Sequence, residues 1–137
     1  MSKDNANYEA NSFDLAEFEV FDTAVLDLQN KKDDGPLLFN GQPVQIVLFS
    51  PGSAEYIRAE AKANQAAQAR TFAALRGKPV KETPEEARQK NADKLAACTV
   101  ELRNFPVDGG PLALYNNPKL GYITAQVEKF LSDWGNF

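Results

Sequence analysis

Few side chains in this sequence are of a kind that could do chemistry, and those few stand where simpler roles account for them. There is no histidine and a single cysteine, which excludes the usual zinc sites and the Ser-His-Asp and Cys-His nucleophile arrangements. The adjacent carboxylates Asp33-Asp34 and Glu85-Glu86 are the candidates for general acid/base work. A charged turn explains the first pair and the acidic first turn of a helix the second. Gly109-Gly110 is not expected to have a strand before it and a helix after it, and it has no lysine of the kind a phosphate-cradling loop needs, so it reads as a turn. Cys98 lies on an apolar stripe and reads as a small core residue. No catalytic residue, metal site or cofactor is expected, and the chain is not read as an enzyme.

The element that dominates the pattern is residues 51–77. Pro51-Gly52 turns the chain into Ser53, whose hydroxyl can accept from the first free N–H groups of a helix, and neither proline nor glycine recurs until Gly77. At helical spacing the run gives Ile57, Ala61, Asn64 or Gln65, Gln68, Phe72 and Leu75: large apolar groups at both ends, alanine and amides between. Alanine keeps such a rod helical without requiring a thick core. Two readings stand. Either the small side chains let a neighbouring helix approach closely, or they hold a lightly apolar surface open for a partner protein. The second reading places the binding face on Ala61, Asn64, Gln65 and Gln68, flanked by Phe72.

Around that helix the sequence predicts an α+β domain, mainly helical, with a small antiparallel sheet at its N-terminal end followed by three helices. Residues 1–17 read as a flexible acidic arm and 18–137 as one domain. Strands are expected at about 18–29, 37–39 and 43–49, with a hairpin at Asn40-Gly41, since both residues tolerate the positive φ of a tight turn. Thr83-Pro84-Glu85-Glu86 opens the second helix with a capping box and a proline at its first position. Its stripe Ala87, Asn91, Leu95, Cys98 and Leu102 predicts a helix running to about Arg103. A turn at 106–111 precedes a third helix over about 118–134, with Leu120, Ile123, Val127, Phe130, Leu131 and Trp134 on one face. Trp134 and Phe137 fit either a core anchor or an interface hot spot.

Length and charge narrow the class of protein further. With 137 residues, 43 % of them hydrophobic and 25 % charged, the chain can bury roughly two thirds of its unfolded surface and needs no disulfide or metal to fold. Residues 1–34 carry nine acids against three lysines, a net of −6, whereas residues 54–103 carry ten Lys and Arg against seven acids, a net of +3. The basic groups alternate with acids at helix spacing, as in Arg58 and Lys62 beside Glu55 and Glu60, which describes a solvated face rather than a phosphate track. Nucleic acid is therefore not an expected partner. No signal-peptide run and no apolar stretch of membrane-spanning length is visible, so a cytoplasmic protein without a membrane partner is expected.

The order of the segments resembles that of the tail assembly chaperones of long-tailed bacteriophages. The resemblance covers about residues 18–137 and rests on Gly41, residues 43–53, Gly110-Pro111, Tyr115, Pro118, Ile123, Gln126-Val127, Phe130 and the closing Asn136-Phe137. It implies a protein of the infected host cell's cytoplasm that binds the tape measure protein, keeps that long apolar chain soluble during tail morphogenesis, and is absent from the mature virion. It further implies a frameshift-extended product that recruits tail tube protein; self-association is a further expectation. A small structural protein of the tail or head-tail joint, present in the virion, is the alternative, and an unrelated bacterial adaptor would share the same composition.

Overall fold

The computed structural model describes residues 12–79 and 81–137. The first eleven residues of the expected acidic arm lie outside that range. Among the described residues the architecture is α+β, as the sequence predicts: a three-stranded antiparallel sheet, a separate two-stranded hairpin and four α-helices.

The sheet is built around β4 (Gln45–Phe49), which lies between β1 (Thr23–Asp27) and β5 (Thr99–Arg103). Both pairings are antiparallel; Leu26 faces Ile46 on one side and Leu102 faces Ile46 on the other. The three central residues of β4 are all buried, the mark of a strand covered on both faces. A bulge between Val47 and Leu48 shifts the register against β5. Two strands, β2 (Leu38–Phe39) and β3 (Gln42–Pro43), pair only with each other across Asn40-Gly41. Asn40 and Gly41 adopt φ of 53° and 76°, the left-handed pair that a two-residue hairpin turn demands. The Asn104 side-chain amide donates to the carbonyls of Phe39, Gln42 and Pro43 and so ties this hairpin to the end of β5.

Three expectations are corrected here. The second helix, α2 (Pro84–Ala97), stops at Cys98 rather than near Arg103, and residues 99–103 form a strand. A central strand with three buried residues must satisfy backbone groups on both edges, and the β-branched Thr99 and Val100 favour the extended chain that meets this need. The segment 37–39 is therefore not the sheet's third strand. The first strand is shorter than 18–29: residues Leu15–Phe18 make a single 3-10 turn, and Phe18 and Phe21 are exposed. Finally, the turn expected at 106–111 leads into a short helix, α3 (Gly110–Tyr115), giving four helices instead of three. Gly109 precedes it at φ 84°, where a Cβ would stand 2.8 Å from the Ala113 side chain.

The long helix is α1 (Ala54–Leu75), with the Ser53 hydroxyl accepting from Tyr56 N–H at 3.1 Å. The capping box of α2 is fully formed: Glu86 N–H donates to the Thr83 hydroxyl, and Thr83 N–H donates to the Glu86 carboxylate. The last helix, α4 (Gly121–Leu131), follows a 3-10 turn at Pro118–Leu120. It buries Ile123, Val127 and Leu131 against the inner face of the sheet's core, which also collects Leu26, Ile46, Leu48, Leu95 and Leu114. Trp134 falls beyond the helix, in a 3-10 turn, and is exposed; the expected stripe loses its last member because Leu131 is the helix's final residue. Phe130 is half-buried, edge-on to Phe137 with ring centroids 5.3 Å apart. Among the described residues, no helix is long and apolar enough to cross a membrane.

Candidate functional site

Asp33, Glu86, Cys98 and Tyr115 each have a place in the local structure. The Asp33 carboxylate accepts from Gly35 N–H within the 30–35 turn, and hydrogen bonding to Asn30 holds its pKa below the usual carboxylate range. Backbone and hydroxyl donation from Thr83 lowers Glu86 likewise. Cys98 is fully buried beneath α2, and loss of solvent raises its thiol pKa to about 11. A thiol held protonated to that degree is a poor nucleophile. Beside it the Tyr115 hydroxyl lies 2.7 Å from the Thr99 hydroxyl, and burial raises the phenol to about 12. Among the described residues, no group of three His, Cys, Asp or Glu side chains is arranged to hold a metal ion.

What remains is the surface of α1. At about 100° per residue, Ala59, Ala63, Ala66 and Arg70 fall in one narrow sector, and Ala61, Asn64, Gln65, Gln68 and Phe72 centre about 180° away. The first sector faces α2. Together the two helices enclose a groove of about 380 Å³ whose floor is alanine and whose sides carry Lys62, Lys94 and Asp93. Its far end is closed by Glu82, which pairs with Arg70 at 3.2 Å and with Lys90. Hydrogen bonding to Lys90 first, then the charges of Arg70 and Lys90, keep Glu82 ionised below the usual range. At the near end the Lys94 amine lies over the Tyr56 ring, 5.8 Å from its centroid.

The opposite sector is the one the sequence assigns to a partner, and all five of its residues are exposed: Ala61, Asn64, Gln65, Gln68 and Phe72. Ile57 and Leu75 extend the same stripe to the two ends of the helix. Ile57 is 55 % exposed, Phe72 59 % and Leu75 77 %, so each of these apolar groups presents more than half of its surface to solvent. The alanines thus divide by face: Ala59 is buried and Ala63 and Ala66 line the groove on the side toward α2, while Ala61 lies on the open side.

Two features escape the sequence reading. The groove face was visible as Ala59, Ala63, Ala66 and Arg70 at spacings of four, three and four, but alanine occurs all round α1 and no contrast marked that sector. The second is the acidic, aromatic segment of residues 12–22, whose Phe13 and Phe18 rings stack with centroids 5.7 Å apart. Its signal was the interleaving of Phe13, Phe18 and Phe21 with Asp14, Glu17, Glu19 and Asp22. Compared with known proteins, the chain matches no family model, no curated protein and no solved structure.

Proposed function

We propose that this chain is an assembly chaperone that binds the tape measure protein of a long-tailed phage and keeps it soluble in the host cytoplasm while the tail forms. The observation that carries the reading is the open face of α1. A 22-residue helix offers a continuous outward stripe from Ile57 through Ala61, Asn64, Gln68 and Phe72 to Leu75. Such a stripe suits an amphipathic helix laid alongside it, with anchors at the ends and close backbone approach over the alanine and amide centre. Covering three large side chains of this kind contributes roughly 1–2 kcal/mol each, enough for reversible holding once association costs are met. The resemblance in segment order over residues 18–137 supplies the identity of the partner. The proposal includes tail tube protein as a second partner of a frameshift-extended product, and absence from the mature virion.

The test is co-expression with the tape measure protein from the same genome, following how much of it stays soluble. Ala61→Lys and Gln68→Lys should each reduce that soluble fraction through a clash and an unpaired buried charge. Undiminished rescue by both variants removes this face from the proposal. Recovery of the chain from purified particles in fixed copy number would replace the chaperone reading with that of a structural tail protein.

A further inference from the structure

The same molecule presents a second pair of uncovered surfaces that complement each other. One is the segment of residues 12–22. Phe13 is 74 % exposed, Phe18 73 % and Phe21 78 %, with Leu15 also turned to solvent. Phe13 and Phe18 stack on each other at an interplanar angle of 18° rather than on the body of the protein, a two-ring plate formed in advance of any contact. The Asp14 side chain caps the intervening 3-10 turn by accepting from Ala16 N–H. Four acids, Asp14, Glu17, Glu19 and Asp22, interleave with these rings along the sequence, and the segment has no Lys or Arg. It is anchored at its C-terminal end, where Phe21 N–H donates to the Phe137 carbonyl and Val20 packs over Gly52.

The other surface is the groove between α1 and α2, apolar at its floor and bordered by four cations, Lys62, Arg70, Lys90 and Lys94, against two acids, Glu82 and Asp93. Since Glu82 already serves both Arg70 and Lys90, the balance of the groove is positive. A second groove, between the β2-β3 hairpin and the start of α4, is as large in scale but has no cation in its lining. Charge therefore distinguishes the two as receptors for an acidic segment.

We infer that residues 12–22 of one copy of this chain dock in the α1-α2 groove of a second copy, the stacked Phe13 and Phe18 rings on the alanine floor and the flanking carboxylates against Lys62 and Lys94. Because donor and receptor are different surfaces, the contact is heterologous: two copies close it reciprocally, or further copies extend it. The prepaired rings lower the ordering cost of docking. The groove lies on the side of α1 opposite Ala61, Gln68 and Phe72, so this association leaves the outward face accessible.

Sedimentation velocity of the full chain over a concentration series should show reversible self-association that weakens as salt is raised. Phe13→Ala/Phe18→Ala, which disables the donor, and Lys62→Glu/Ala66→Glu, which disables the receptor, should each weaken it about tenfold or more. All four positions are exposed, and circular dichroism should show both variants folded. The discriminating step is to mix the two variants. One retains a receptor and the other a donor, so a one-to-one complex that grows no further is expected. A chain that is monomeric throughout, an association that either variant leaves intact, or a mixture that fails to complex each overturns the inference. Monomeric behaviour would leave the groove to a partner of different sequence.

Discussion

Two helices of this protein make opposite use of their length. In α4, eleven residues bury Ile123, Val127 and Leu131 in the core, whereas in α1, twenty-two residues bury Ala59 alone. The difference is not in helix propensity, which favours the alanine-rich α1. It lies in the apolar period. Large groups at positions 123, 127 and 131 of α4 return to one face every four residues, so each turn adds to one buried seam. In α1 Tyr56, in the first turn, packs against the core, but Ile57, Phe72 and Leu75 lie on the face turned away from α2, and beyond the first turn the face toward α2 carries mainly methyl groups. Caps and composition set how long a helix is; apolar spacing sets how firmly it is held.

Hydrogen exchange should expose this contrast most strongly. Amides of α4 around Val127 should open only with global unfolding, while those of α1 from about residue 61 to 75 should open at several kcal/mol less, as sparsely packed elements do. Equal protection in the two helices would mean that α1 is covered in solution, and its dependence on protein concentration would then say whether another copy covers it. Next in size are truncations of α4. Ile123→Ala should lower unfolding free energy in urea by about 2–5 kcal/mol. Phe130→Ala should cost less, about 2 kcal/mol, because that ring is half-buried against Phe137. A reversed order would mean that Phe130, not Ile123, lies on the buried seam of α4.

A smaller effect follows from the layer beneath α2. Cys98 and Tyr115 have folded-state pKa values raised to about 11 and about 12 from ordinary values of 9.0 and 10.0. In each case the folded protein holds a proton that the unfolded chain releases. Their contribution is fully present below about pH 9 and is lost as pH rises toward 11 and 12. Urea midpoints should therefore decline across that alkaline window, and Cys98→Ala should make the decline shallower at its lower end. A slope unchanged in that variant would assign the alkaline loss to other groups.

How much of this was legible in the sequence depended on whether the deciding force is local. The hairpin at Asn40-Gly41, the Ser53 cap and the Thr83–Glu86 capping box were readable because each is settled within four residues. Strand β5 was not: Leu102 continues the helical spacing of Leu95 and Cys98, and only the unsatisfied edge of β4, fifty residues earlier, makes the extended chain the better solution. The exposed segment 12–22 was not legible as one unit: the acids before residue 18 read as an arm and the apolar residues from Phe18 onward as the start of a strand, which separates Phe13 from Phe18, the ring it stacks on. The outward position of Ala61, Asn64, Gln65, Gln68 and Phe72 was readable from the weak centre of their stripe, since amides and methyl groups recurring over three turns cannot build a core by themselves.

The smallest expected effect on stability is the most informative about function. Gln68→Lys and Ala61→Lys change residues that are exposed on the face of α1 opposite α2, and neither position is capped, buried or at special backbone angles. Each should shift unfolding free energy by less than about 0.5 kcal/mol. Lysine has good helix propensity, so the rod itself is not weakened. The same substitutions in a receptor face would put a long charged chain where a partner helix must approach closely, and the loss of binding should far exceed the loss of stability. A variant that unfolds more easily and also binds less would return the stripe to an ordinary packing role. Unchanged stability with lost binding would separate α1 from α4 in the way their buried faces already do: α4 buries its apolar stripe in the core, and the stripe of α1 stays exposed.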